Sequence, residues 1–400
     1  MTIWKRVIAY CLAEVLGMVG FATFPALIPT FIDKWQLTHT EAGWISGIYF
    51  AGYMGAVPVL VSLTDRADPR RIYLISVALG AVSALGYALL ADGFWSAFVF
   101  RTLAGIGLAG TYMPGLKALT DLVKGPRQSR VLAFYTSSFS IGAAVSFYIS
   151  GEVAGWLGWR WSFGVASLAS LASLIIVIWT IPPASGDRCL LPETRLLDFR
   201  PVLRNPTVMG YIIAYGAHIW ELFGQRSWIV TFLSFSRSLQ PVGAGTLIPA
   251  TVVAALVNLA GVPASIAGNE MALRFGRVRL VTSVMILSAL ISSVIGFSAS
   301  LPYLLVALSC LFHGMAAYGD SSAITAGLVA AAEPRFQGAA MAVHSFVGFG
   351  CGFLGPLAFG IVLDLAPGGQ NIAWGLAFAS LGLAGAMGPV ALAMLVRSRG

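Results

Sequence analysis

Five fully charged side chains stand inside long apolar stretches of this 400-residue sequence: Glu14, Arg101, Glu221, Arg226 and Asp320. A charge surrounded by hydrocarbon is costly, so each marks either a paired structural contact or a path for ions and protons. The stretch His218-Ile219-Trp220-Glu221-Leu222-Phe223-Gly224-Gln225-Arg226 is the richest. At about 100° per helical residue, His218, Glu221 and Gln225 share one face, whereas Arg226 lies about 140° round from Glu221. Arg226 is therefore expected to reach another helix or a substrate group. Glu14 or Glu221 is expected to exchange a proton as the cavity changes access. For both, and for Asp320, a purely structural interhelical hydrogen bond is the alternative. Arg101 is read either as a ligand or as a packing and charge-balancing residue. His218, His313 and His344 read as proton relays or as interhelical hydrogen bonders, and only His218 gains from its neighbours. Tyr112, Trp220 and Gln225 are secondary candidates for the same cavity, with core packing the competing role for Trp220.

The elements that hold these groups follow from composition. The chain is 58% hydrophobic and 10% charged, against roughly 45–50% and about 25% in a soluble domain. A single soluble core stops growing at roughly 250–300 residues, so lipid is the expected solvent. Hydropathy divides the sequence into twelve apolar stretches, at 7–31, 42–63, 72–91, 95–116, 129–152, 160–181, 208–235, 243–267, 279–299, 301–323, 337–363 and 372–396. Each approaches or exceeds the ~20 residues that a spanning helix needs. Barrel strands would alternate in polarity, which Leu168 to Ile178 does not. The longest polar segment, Pro182 to Pro206, separates the sixth stretch from the seventh. The predicted fold is an all-α integral membrane protein of twelve transmembrane helices. It consists of two six-helix halves, 1–181 and 208–400, joined by a cytoplasmic linker at 182–207.

Charge gives the orientation. Of the 24 Lys and Arg, 19 fall in loops on the side of the N-terminus, three lie opposite and two lie within spans. By the positive-inside rule both termini and the linker are cytoplasmic, and a plasma membrane, the inner membrane if bacterial, is the expected location. The net charge of +8 is thus an orientation signal. No basic run with interleaved aromatics suggests nucleic acid. Cys11, Cys189, Cys310 and Cys351 are too scattered for a metal site. The first apolar stretch is too long for a signal-peptide core, so Met1 is read as the mature start.

An ordered duplication runs through the chain. At an offset of 208, Pro126-Arg127 aligns with Pro334-Arg335 and Gly142 with Gly350. Glu14 and Glu221 stand 207 apart, on the first helix of each half.

Three motifs stand out: Leu63-Thr64-Asp65-Arg66-Ala67-Asp68-Pro69-Arg70-Arg71 after the second stretch, Arg101-Thr102-Leu103-Ala104-Gly105-Ile106-Gly107 in the fourth, and Gly155-Trp156-Leu157-Gly158-Trp159-Arg160-Trp161 at the end of the fifth. With them the chain resembles the major facilitator superfamily over essentially its whole length. The first is similar to the family's loop 2–3 signature, with one extra residue before the last basic pair, and the second to its Arg-x-x-x-Gly-x-Gly motif. The family's drug-proton antiporters often carry Gly-Pro in the fifth span; here Ser146-Phe147 stands there, and Gly355-Pro356 occupies the aligned place in the eleventh. The resemblance implies that spans 1, 4, 7 and 10 line a central cavity, so that four of the five intramembrane charges face one another. It also implies a cytoplasmic gate of Asp65, Arg66, Arg70 and Arg71, repeated unequally as Glu270, Arg274 and Arg277, with Leu273 where the first copy has Asp65. For these arginines simple topology is the competing explanation.

The resulting expectation is a secondary active transporter that moves a small organic solute by alternating access, with protons as the coupling ion. An exporter of drugs or amphipathic metabolites and a uniporter are alternatives within the class. A non-transporting sensor or a membrane-embedded enzyme is the alternative outside it. There is no Gly-x-x-x-x-Gly-Lys loop for ATP. Neither cofactor nor metal is expected, and a monomer is.

Overall fold

The computed structural model describes residues 3–63, 67–123, 128–180, 199–241 and 248–396. Its elements among these residues are helices: α1 (Ile3–Gly17), α2 (Thr23–Trp35), α3 (His39–Leu63), α4 (Pro69–Leu90), α5 (Phe94–Ala109), α6 (Tyr112–Leu122), α7 (Gln128–Leu157), α8 (Trp159–Thr180), the short α9 (Arg200–Arg204), α10 (Pro206–Ser238), α11 (Ala250–Phe275), α12 (Arg277–Ile295), α13 (Tyr303–Gly319), α14 (Ser321–Ala331), α15 (Gln337–Leu365), α16 (Gln370–Gly385) and α17 (Met387–Leu395). Eight helical segments among the described residues are long and apolar enough to cross a membrane. The other apolar stretches are broken, as α1/α2 and α5/α6 are, or rich in polar side chains, as α7 and α10 are. Large apolar side chains such as Leu89, Leu168, Trp179, Leu383 and Met394 are exposed, as lipid-facing helices require.

Helix starts follow ordinary chemistry. Asp68 caps α4 by accepting from the Arg70 amide at 3.0 Å, with Pro69 at the first helical position. Asn205 caps α10 by accepting from the Val208 amide at 3.2 Å, followed by Pro206.

The chain divides into two compact units, residues 1–27 with 48–194, and residues 28–47 with 195–400. The first buries Val7, Tyr10, Tyr73, Val77, Val131 and Tyr135 together. The second has a core of Val208, Tyr211, Ile212, Val281, Ile324 and Leu328. Most of the expected linker at 182–207 lies outside the described residues, which resume at Phe199.

Hydropathy does not show where helices break. The first apolar stretch unwinds between Gly17 and Thr23, and Ser146 of α7 repairs the break: its hydroxyl accepts from the Ala22 amide at 2.9 Å and donates to the Val19 carbonyl at 2.6 Å. Backbone freed from a helix in an apolar setting needs such partners. Ser146 thus has a structural use. The fourth stretch breaks at Gly110-Thr111 and the tenth at Asp320, whereas α10 runs unbroken for 33 residues.

Within the second unit the start of α3 rests on α15. Asp364 accepts from the Thr40 amide at 2.7 Å and the His39 amide at 3.1 Å, and His39 Nδ1 lies 2.7 Å from the same carboxylate. The helices approach closely because Gly43 and Gly47 lack side chains: a Cβ would stand 2.8 Å from the Pro356 carbonyl oxygen and 2.4 Å from that of Phe353, respectively. Asp364→Ala removes this cap and is expected to cost about 1 kcal/mol, whereas Asp364→Asn retains most of it. Equilibrium unfolding of the two variants in detergent checks the order.

Candidate functional site

In the second unit α10 presents its predicted face to α13 and the break that follows it. Glu221 Oε1 lies 2.8 Å from His313 Nε2 and accepts a hydrogen bond from Ser288 Oγ of α12, also at 2.8 Å. Three residues earlier His218 Nδ1 lies 2.7 Å from Asp320 Oδ1. One turn later Gln225 Nε2 donates to the Cys310 carbonyl at 3.0 Å. All five of these polar side chains in the two pairs and the glutamine are no more than 2% exposed. The spacing i, i+3, i+7 therefore brings three side chains onto one neighbouring strip of backbone and side chains.

Arg226 points elsewhere. Its guanidinium donates to the Tyr318 hydroxyl, which donates to Asn258 Oδ1 of α11 at 2.9 Å, and Asn258 Nδ2 donates to the Ala254 carbonyl at 2.8 Å. The guanidinium also sits 4.8 Å from the centre of the Phe223 ring, within cation–π range. His344 of α15 stacks on Tyr215 with ring centres 3.6 Å apart, and Tyr215 lies 5.8 Å from the His218 ring. Trp220 is half-buried, with its backbone carbonyl against Gly355.

The first unit is arranged differently. Glu14 Oε2 accepts from the Tyr135 hydroxyl at 3.0 Å, and that hydroxyl also lies 3.3 Å from the Thr111 carbonyl at the α5/α6 break. Tyr112 stacks on Tyr135 at 5.8 Å. Arg101 reaches the unwound carbonyls of Gly20 and Phe21 at 3.4 and 3.3 Å, and lies over the Tyr49 ring at 4.2 Å.

Of the gate residues, Asp65 and Arg66 lie outside the described residues. Arg70 donates to the Ile178 carbonyl of α8 at 2.9 Å, and Arg277 to the Ala326 carbonyl of α14 at 3.4 Å. Arg71, Glu270 and Arg274 are exposed. Among the described residues no cluster of His, Cys, Asp or Glu is arranged to hold a metal ion.

Residues 10–356 match the Major Facilitator Superfamily. The chain belongs to that superfamily. Among relatives, it is 22% identical over 215 residues to a probable sphingolipid transporter, spinster homolog 1, of Arabidopsis thaliana, covering 50% of this chain and 44% of that protein. It is 22% identical over 237 residues to protein spinster homolog 1 of Homo sapiens, covering 57% and 45%. The chain thus spans about half the length of the curated relatives it matches. Two solved superfamily structures share the fold. A bacterial homolog of the human lysosomal transporter spinster, inward-facing and unoccupied, has a TM-score of 0.76 at 16% identity, covering 98% of this chain and 95% of that one. The nucleoside transporter NupG, as a D323A mutant, has a TM-score of 0.78 at 13% identity, covering 98% and 100%.

Sequence reading of this superfamily member omitted Tyr135, Ser288, Tyr318, Asn258, Tyr215 and the His39–Asp364 pair. The duplication contains one usable signal, since Tyr135 and His344 stand 209 apart, within one position of the repeat offset. The others are common polar residues of apolar helices, and no spacing marks them.

Proposed function

We propose that this chain is a secondary active transporter that moves a small organic solute by alternating access and is driven by protons. The observation that carries the reading is the pair of buried histidine–carboxylate contacts, His218–Asp320 and His313–Glu221, on one face of α10. Each imidazole and carboxylate shares a site from which a proton is taken up or released as hydration changes. One of the carboxylates sits at the α13/α14 break. Interrupted helices at repeat-related places are a recurrent transporter device, and Asp320 couples such a break to α10.

In this reading the twelve apolar stretches are twelve spans in halves 1–181 and 208–400, with the linker and both termini in the cytoplasm. The chain works as a monomer in a plasma membrane, the inner membrane in a bacterium. Glu14, Arg101 and Arg226 complete the polar lining, and Tyr112, Trp220, Gln225 and His344 shape it. Asp65, Arg66, Arg70, Arg71, Glu270, Arg274 and Arg277 form the cytoplasmic gate. Export of an amphipathic molecule is the second reading, and the spinster relatives, one described as a probable sphingolipid transporter, favour it.

The test uses the purified chain in liposomes with a panel of organic acids, amines, sugars, nucleosides and sphingoid lipids. Accumulation of one solute is expected only while a pH gradient stands, and Asp320→Asn is expected to abolish it. Equal transport with the gradient collapsed by a protonophore overturns the coupling.

A further inference from the structure

Arg101 is 2% exposed and carries a full charge into the interior of the first unit. A buried guanidinium ordinarily needs a carboxylate and a complete set of acceptors. Arg101 has neither. Among the described residues no carboxylate oxygen lies within 4.0 Å of it. Among the described residues its hydrogen bonds are the two long ones to the Gly20 and Phe21 carbonyls, and its buried Nε has no partner. Glu14, a buried carboxylate of the same unit, is turned toward Tyr135.

Arg101 lines a cavity of about 40 Å³, where a single water requires roughly 10–15 Å³. Its wall combines donors with small residues. Ser76, Ser83 and Thr111 bring hydroxyls, Gly20, Gly80 and Gly107 leave the space open, and Tyr49 and Phe163 contribute rings to the wall. Two of these hydroxyls are engaged, Ser83 to the Phe100 carbonyl at 2.5 Å and Thr111 to the Leu108 carbonyl at 3.0 Å. Ser76 is buried on the cavity wall. The space is large enough for a small anion.

We propose that this cavity is a binding site for a small inorganic anion of halide size, held by Arg101 as the resident counter-charge of the first unit. An anion there supplies the acceptor that Nε lacks and offsets the buried positive charge. The site is separate from the histidine–carboxylate pairs of the second unit, so it stands or falls independently of the proton-coupling proposal.

The experiment uses the full chain in detergent at constant ionic strength, with chloride or bromide exchanged for gluconate, an anion far larger than a halide. A saturable rise in Tm with either halide is expected, because a ligand that binds only the folded state stabilises it by mass action. Arg101→Gln is expected to abolish the rise, and Arg101→Lys to shift its midpoint to higher halide. An equal halide response in Arg101→Gln, or no response in the parent protein, overturns the proposal. A crystal of the unmodified chain grown in bromide supplies a second reading that needs no variant. An anomalous peak within hydrogen-bond reach of Arg101 supports the site, and an empty cavity at saturating bromide overturns it.

Discussion

Replacing Gly105 by valine is expected to leave little folded protein. Gly105 is the first glycine of the Arg-x-x-x-Gly-x-Gly motif, and a Cβ on it would stand 1.9 Å from the Tyr49 carbonyl oxygen and 2.8 Å from the Tyr49 carbonyl carbon. Both obstacles are backbone, of α3, and no rotamer change removes them. The helices must separate, which withdraws the Tyr49 ring from its place 4.2 Å from the Arg101 guanidinium. Overpacking of flexible side chains costs about 1–3 kcal/mol and occasionally more; a backbone collision belongs at or above the top of that range. Gly55 of the same α3 is the control, since a Cβ there meets nothing within 4 Å. Gly55→Ala is expected to be neutral or to stabilise by up to about 1 kcal/mol, alanine being the better helix former. Yield of monodisperse protein and Tm in detergent report both outcomes. A Gly105→Val protein with the parent Tm is incompatible with the α3–α5 contact.

Glu221→Gln is expected to give a folded protein that has lost proton-driven accumulation while retaining exchange of solute across a membrane with no gradient. Glutamine keeps the size of the side chain and an oxygen for Ser288 Oγ, but it carries no titratable proton. The bond to His313 loses its charge assistance, with an expected cost of about 1–3 kcal/mol. Glu221→Ala is the more damaging change, because it leaves His313 Nε2 and Ser288 Oγ buried without acceptors, each at about 1–3 kcal/mol. Parallel measurements of Tm, gradient-driven uptake and counterflow separate the chemical role from the structural one. If Glu221→Gln still accumulates solute against its gradient, the proton passes elsewhere and Glu221 is a structural hydrogen-bonding residue.

What the sequence makes legible here is what hydrocarbon penalises. Glu14, Arg101, Glu221, Arg226 and Asp320 stand out because a charge in an apolar stretch has few ordinary reasons to exist. The common orientation of His218, Glu221 and Gln225 follows from helical geometry alone, and so does the divergence of Arg226. Their partners do not follow. Ser288, Tyr318 and Asn258 come from three different helices, and their types are unremarkable where they stand. Pairings at separations of 60 to 92 residues, as in Asn258–Tyr318 and Glu221–His313, depend on helix packing that no local pattern encodes. Helix breaks are hidden for another reason. Gly-rich and apolar residues continue through Met18 to Ala22 and past Gly110, so hydropathy stays high where the backbone departs from the helix.

The cap that Asp364 places on α3 bears on where this chain can be recombined. Residues 28–47 are early in sequence, yet they belong to the same compact unit as α15, with Gly43 and Gly47 against its backbone. A chimera that exchanges residues 1–181 as one cassette imports a foreign surface against α15 and discards the fitted one. Moving residues 28–47 together with α15, or leaving both in place, keeps that fit intact, so the natural seams for grafting lie near residues 27 and 48 rather than at the central linker alone.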